Sequence, residues 1–217
     1  MTAAQQTGVA VLEISALGAA LVILDALEKA ASVRLLQAEL NDFYGFVLKV
    51  TGDAASLRTA VDQAKTTAAR LHAPLICTIL DRPSPEAWTA IESPAEYQPL
   101  IEQEIVFAPA DFYANPRERT TPMNQVSFAI GLIETQGFTA VLEAIDTACK
   151  AANVEVIGKE KLGGGYVTVL IKGDVAAVTA AIDAGRAKVD GLGKLIAAHV
   201  IARPSEAVLA LLPKSLP

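Results

Sequence analysis

Asp25-Ala-Leu-Glu-Lys-Ala-Ala-Ser-Val33 and Asp146-Thr-Ala-Cys-Lys-Ala-Ala-Asn-Val154 are one phrase written twice, 121 positions apart. At that offset about eighteen residues between 9 and 88 match their partners without a gap. Glu13 falls on Glu134, Glu39 on Glu160, Gly52-Asp53 on Gly173-Asp174, Asp62 on Asp183, and Arg82-Pro83-Ser84 on Arg203-Pro204-Ser205. A solenoid repeat has a shorter period, roughly 20 to 45 residues. The chain therefore reads as two copies of one domain, and its 217 residues suffice for both.

Working outward from Asp25, Leu17, Leu21, Leu24 and Leu27 fall at helical spacing, predicting a helix over Leu17 to Ala31 with Lys29 in its last turn. The apolar run Val9 to Ile14 before it reads as a buried strand. Val33 to Leu40 and Tyr44 to Thr51 read as strands joined by a turn near Asn41-Asp42. Asp53 suits an N-cap for a helix to about Leu71. Pro74 to Leu80 is a strand ended by Arg82-Pro83, and Pro85 to Ile91 a short helix. The second copy repeats the order: strand Ala129 to Glu134, helix Phe138 to Ala152, hairpin strands Val154 to Lys161 and Tyr166 to Lys172. Asp174 then caps a helix to about Asp190, followed by strand Lys194 to Ile201 and a terminal helix from Ser205 to about Leu212. β-α-β-β-α-β is the order of an α+β, ferredoxin-like split βαβ, with both helices on one face of an antiparallel sheet. The expected organisation is a first domain at 8–91, a Pro-rich linker at 92–127 and a second domain at 128–213. Within the linker, Ile101 to Phe107 is apolar enough for an edge strand, and the rest reads as a mobile surface loop.

Composition narrows the function. The chain is 52% hydrophobic and 19% charged, with mean hydropathy +0.38; a typical soluble domain is about 25% charged. Yet the longest apolar stretch, Ile14 to Leu24, is half of the roughly 20 residues a spanning helix needs, and residues 1–7 have no signal-peptide character. Surface hidden in an oligomer would account for the low charge and is the favoured reading; an Ala-rich soluble protein is the alternative. A net charge of −6 disfavours nucleic acid. Cys77 and Cys149 have no CxxC spacing and do not match across the copies, suggesting a reducing compartment and no disulfide framework.

The second copy carries a family resemblance. Ala129-Ile-Gly-Leu-Ile-Glu-Thr135, Ala144 to Val154, Lys161-Leu-Gly-Gly-Gly165, Lys172-Gly-Asp-Val-Ala-Ala-Val178 and His199-Val-Ile-Ala-Arg-Pro204 closely resemble the BMC domain of bacterial microcompartment shell proteins. The first copy is similar through Val11-Leu-Glu13, Asp25, Lys29-Ala-Ala31, Thr51-Gly-Asp53 and Arg82-Pro83. The strand order matches the unpermuted tandem-domain subclass. This resemblance implies a homotrimer shaped like a six-sided tile, packed with other shell proteins into facets around metabolic enzymes in the cytoplasm. A narrow hole on its axis would pass small metabolites.

The resemblance also implies site residues. Lys29 and Lys150 would lie on the tile edge and meet the next tile, with Arg82 and Arg203 reaching across it through the several hydrogen bonds of a guanidinium. A lysine that merely complements the helix dipole is the alternative for each. Leu162, Gly163, Gly164 and Gly165 would line the pore, where glycines expose backbone N–H groups to anions; any tight hairpin also uses such glycines. Asn41, Asp42, Phe43 and Tyr44 stand at the matching place and depart from the small residues of the family, which predicts a narrow, closed or gated hole. Some tandem members hold an iron–sulfur cluster on a pore cysteine; neither Cys77 nor Cys149 lies in a pore loop, so no cofactor is expected.

A sweep for catalysis returns nothing. His72 and His199 make no HxxxH or HExxH pattern and fall opposite Gly193 and Thr78. No GxSxG or GxxxxGK[ST] occurs. Glu13 and Glu134 could do acid–base work, but copies fixed in a duplicated scaffold fit structural hydrogen bonds better. The expectation is a structural shell tile, with no catalytic or metal site. The alternative is a trimeric regulatory protein binding a ligand on a ferredoxin-like fold; an enzyme lacks its nucleophile and base.

Overall fold

The computed structural model describes residues 8–41, 45–93 and 128–212. The chain divides into two compact units, Met1–Gln103 and Glu104–Pro217. The first contains β1 (Gly8–Ile14), α1 (Leu17–Ala30), β2 (Arg34–Asn41), β3 (Gly45–Gly52), α2 (Ala54–Leu71), β4 (Leu75–Leu80) and α3 (Pro85–Ile91). The second contains β5 (Ala129–Gln136), α4 (Phe138–Ala151), β6 (Glu155–Gly163), β7 (Tyr166–Gly173), α5 (Val175–Arg186), β8 (Lys194–Ile201) and α6 (Glu206–Ala210).

Each unit is a four-stranded antiparallel sheet, β2-β3-β1-β4 and β6-β7-β5-β8. That is the split-βαβ order expected from the sequence. Both units repeat a β-bulge at matching places, between Leu35 and Gln37 on β2 and between Val156 and Gly158 on β6. In the first unit the core uses Ala10, Leu12 and Ile14 of β1 with Leu21, Leu24 and Leu27 of α1, all at most 2% exposed. Burying a leucine this fully contributes about 2 kcal/mol. The second core joins Ala129 and Ile133 to Ala140, Ala144 and Ala148 of α4 and Val178, Ala181 and Ile182 of α5.

The long helices begin where side chains satisfy their first amides. Asp53 accepts from the amides of Ala55 and Ser56, both at 3.0 Å, and Asp174 from Ala177 at 2.8 Å. Their ends differ. α2 runs to Leu71 and closes on His72 in the left-handed conformation (φ 52°). α5 stops at Arg186, short of the expected Asp190. There the Lys188 amide bonds the Gly185 carbonyl and the Gly193 amide the Val189 carbonyl, and Gly191 turns at φ 78°, so separate turns replace the helix. α6 is likewise shorter than expected, ending at Ala210. Expectations for Ile101 to Phe107 and the rest of the linker lie outside the described residues.

Candidate functional site

Three regions bear on function: the helix ends that carry the repeated lysines, the hairpin turns, and the sheet face away from the long helices.

Lys29 and Lys150 occupy the last turns of α1 and α4. Each reaches back one turn, to Asp25 at 2.7 Å and Asp146 at 2.5 Å. Such i, i+4 pairs fix side-chain direction at little gain in stability. The Asp146 carboxylate that accepts from Lys150 raises its ammonium above its ordinary value. Both lysines are exposed, Lys150 more than Lys29. Arg82 and Arg203 are also exposed, each just past the end of an edge strand and just before a Ser-Pro or Ser-Glu helix start. The duplication thus places all four side chains at equivalent points of the two domains.

The hairpin turns have diverged. Gly163, Gly164 and Gly165 all have positive φ (79°, 55° and 83°), a conformation that other residues adopt only with strain. Gly164 and Gly165 are the two central residues of a tight turn between Gly163 and Tyr166. Their carbonyls are held at the end of β5: Gln136 Nε2 donates to Gly164 O at 3.2 Å and the Gly137 amide to Gly165 O at 3.0 Å. Leu162 is the extra residue of a second bulge, between Lys161 and Gly163, and is buried, 8% exposed. In the first domain β2 ends at Asn41, paired with Gly45 and with no bulge there. Gly45 (φ 110°) is obligatory, because a Cβ would stand 2.3 Å from the Ile14 carbonyl oxygen. Asp42, Phe43 and Tyr44 lie outside the described residues.

The sheet face away from α1 and α2 carries a polar network that the sequence reading missed. Lys49 Nζ donates to Gln37 Oε1 at 2.8 Å, to the Ile91 carbonyl at 3.1 Å and to Glu39, forming an ion pair. Gln37 Nε2 donates onward to the Ser93 carbonyl at 2.9 Å. Lys49 thereby neutralises Glu39 and ties the end of α3 across the sheet. The corresponding face of the second domain has Glu134, Thr168 and Glu160 in one cross-strand row. Leu170 stands where the first domain has Lys49. Burial pushes Glu160 up to about 7, and the Thr168 hydroxyl is buried with no hydrogen-bond partner. Glu134 is fully buried and engaged, which fits its expected structural role.

The first domain also has a cavity of about 450 Å³ beside β2, lined by residues that include Val33, Arg34, Leu36, Trp88 and Glu92. The second domain fills the equivalent cross-strand position with the Glu155–Lys172 ion pair at 3.0 Å. Among the described residues, no group of three or more His, Cys, Asp or Glu side chains could hold a metal, and no helix is long and apolar enough to cross a membrane. Desolvation first, and Asp146 second, push the Cys149 thiol up, keeping it in its weakly nucleophilic protonated form. His199 is a strand residue of β8.

The family model for the BMC domain matches residues 8–80 and again 129–204. Bacterial microcompartment shell protein PduA of Citrobacter freundii is 50% identical over 88 residues, 41% of this chain and 95% of that protein. Carboxysome shell protein CcmK2 of Synechocystis is 47% identical over 91 residues, 41% of this chain and 87% of that protein. A solved microcompartments protein of Desulfitobacterium hafniense is 25% identical, covering 94% of this chain and 98% of that one, with a TM-score of 0.37. The curated relatives are about one domain long. With the family's domain matched over both of its halves, this chain belongs to the BMC-domain family of microcompartment shell proteins and carries that domain twice in tandem.

Proposed function

We propose that the chain is a structural, non-enzymatic shell protein whose three copies form a six-sided tile with a narrow or gated central pore. The observation that carries this reading is the tandem BMC match, with Lys29/Lys150 and Arg82/Arg203 at equivalent exposed places. Three such chains supply six domains and so six nearly equivalent edges. Exposed apolar side chains support burial in an assembly, among them Ile76 and Leu80 on β4, Phe138 and Leu142 on α4, and Leu195 on β8. Other shell proteins and enclosed enzymes are the expected partners, in a cytoplasmic microcompartment. The Gly163-Gly164-Gly165 turn would face the axis; with its Gly164 and Gly165 carbonyls held by β5, it would present N–H groups to an anionic metabolite. The first-domain turn, Asn41 to Tyr44, would narrow the hole.

Negative-stain electron microscopy at near-neutral pH tests this. Six-sided discs, alone or tiled into sheets, are expected. Lys29→Glu with Lys150→Glu should disperse the sheets and leave the discs. Monomers, or compact particles with neither six-sided outline nor lateral association, would overturn the reading. The regulatory alternative has one specific support, the cavity beside Arg34. Trp88 is the sole tryptophan, so saturable quenching of its emission by a small metabolite would favour that alternative.

A further inference from the structure

The cavity beside β2 gathers side chains that the second copy does not have. Its volume of about 450 Å³ falls within the range of small-molecule sites, and its wall includes Val33, Arg34, Leu36, Trp88 and Glu92. At the repeat positions of Arg34, Thr51 and Trp88 the second domain has Glu155, Lys172 and Leu209. Arg34 stands across the ladder from Thr51, and Glu155 from Lys172. The second domain therefore neutralises this place with its own ion pair, at 3.0 Å. In the first domain the Thr51 hydroxyl donates to the Gly8 carbonyl at 2.9 Å and carries no charge, so Arg34 has no cross-strand counter-ion. Arg34 and Glu92 are both exposed, and among the described residues neither forms an ion pair, with each other or with a third group.

The helix that walls the cavity is fixed at both ends. α3 starts on Ser84, whose hydroxyl accepts from the Ala87 amide at 3.2 Å. Its far end is tied to the sheet by Lys49, which donates to the Ile91 carbonyl at 3.1 Å, and by Gln37, which donates to the Ser93 carbonyl at 2.9 Å. Neither tie is repeated, since Leu170 and Gly158 stand at the positions of Lys49 and Gln37. The unrepeated network thus holds Trp88, which is half-buried, and Glu92 on the cavity that Arg34 lines. A wall held in place before a ligand arrives lowers the ordering cost of binding.

We propose that this cavity binds a small zwitterion with a flat apolar body, the chemistry of an aromatic amino acid. Arg34 offers a planar fork for a carboxylate. Glu92 offers an acceptor for an ammonium. Trp88, with Val33 and Leu36, gives an apolar bed on which a ring can stack. Two opposite charges that do not join each other select this class: a simple anion meets Glu92 and a simple cation meets Arg34, each against a like charge. The site goes beyond the shell reading and does not rest on it. A tile that carries the site shows six-sided discs and saturable binding together, whereas binding without discs marks the regulatory alternative.

The test titrates the full chain with L-phenylalanine, followed by the emission of Trp88 and by isothermal titration calorimetry. Two analogues each lack one charge: 3-phenylpropanoate has no ammonium and 2-phenylethylamine no carboxylate. L-Phenylalanine should saturate, and each analogue should bind roughly tenfold more weakly, having lost one charged contact. Arg34→Met should weaken L-phenylalanine by a similar factor and leave 2-phenylethylamine as it was or tighter. Glu92→Gln should do the reverse, sparing 3-phenylpropanoate. Arg34→Glu with Thr51→Lys, which copies the Glu155–Lys172 pair, should abolish binding. Absence of saturation up to the solubility limit of L-phenylalanine would overturn the proposal. Equal affinity for all three compounds, or wild-type affinity in Arg34→Met, would do the same, since either would reduce the cavity to a non-selective apolar contact. Discs seen by electron microscopy alongside any of these failures would leave the tile standing.

Discussion

The undersides of the two sheets are built from one ancestral pattern and have taken opposite courses. In the first domain Gln37, Glu39 and Lys49 form a closed network that also clasps the end of α3. In the second domain Gly158, Glu160 and Leu170 stand at those positions, and Thr168 replaces Val47. The helical faces changed in size but not in character: Ile23 and Leu27 of α1 give way to Ala144 and Ala148 of α4, and both faces stay apolar under two packed helices. The difference teaches where duplication leaves freedom. A core face must stay apolar in both copies even where its side chains change size, whereas the opposite face of the sheet can exchange a lysine for a leucine.

Cutting the closed network should have the largest effect. Lys49→Met leaves the Glu39 carboxylate and the Gln37 amide without their donor in a mostly buried place, at a cost of about 3 kcal/mol. Chemical denaturation would measure it, and Glu39→Gln added to Lys49→Met should recover part of the loss. A single-mutant cost near zero would mean that the network is ornamental and that the two undersides do not differ energetically.

Close helix packing gives the next contrast. Gly185 of α5 corresponds to Ala64 of α2. A Cβ at 185 would stand 2.6 Å from Ile133 Cδ1 and 2.7 Å from the Ala144 carbonyl oxygen. The isoleucine end can move but the backbone of α4 cannot, so Gly185→Ala should cost about 2 kcal/mol by overpacking. Ala64→Gly should cost about 1 kcal/mol, chiefly through helix propensity. Equal, small costs in thermal unfolding would show that the second pair of helices has slack.

The helix caps should differ less. Asp53 accepts two backbone amides and the Ser56 hydroxyl, while Asp174 accepts one amide. Asp53→Ala should therefore lower the thermal midpoint more than Asp174→Ala. The hydrogen bonds from Ser56, side chain first, hold the Asp53 carboxyl below its ordinary value. Its contribution is thus present above the ordinary carboxylate range and is lost as pH falls through the lowered value. A midpoint difference between wild type and Asp53→Ala that does not shrink on acidification would break this assignment.

Much of this was legible in the sequence because it was repeated. Val9 to Ile14, the Asp caps and the Arg-Pro strand ends each occur twice, and a pattern that survives duplication marks the frame. What could not be read was unrepeated or long-range. Lys49 has no match across the copies, and its partners sit on β2 and at the end of α3, far away in sequence. The early end of α5 depends on a local contest between helix and turns around Gly185 and Gly191, where no proline marks a stop. The gapless offset also hid the bulge at Leu162, since a bulge adds a residue on one strand without altering the repeat. Glu160 had a signal, because its repeat partner Glu39 has a lysine diagonally across the ladder and Glu160 does not; reading it required the cross-strand register.

That register defines the smallest and most selective experiment, a transplant of the first domain's solution. Leu170→Lys with Thr168→Val copies Lys49 and Val47 into the second domain. In the dissociated chain Glu160 is neutral up to about 7, whereas an unfolded glutamate ionises near 4.5. The folded state therefore binds the extra proton between those values, and stability through this group is full below 4.5 and falls as pH rises towards 7. Glu160 keeps partial solvent contact, which screens the penalty to about 1 kcal/mol between pH 5 and 8. A lysine at 170 favours the ionised carboxylate, so this decline should vanish in the double variant, whatever the transplant does to stability at pH 5. Denaturation at pH 5 and 8, at a concentration that keeps chains apart, supplies the readout. A decline that persists with lysine at 170 would mean that the second sheet holds Glu160 away from the Lys49 position, and the equivalence of the two undersides would fail at that point.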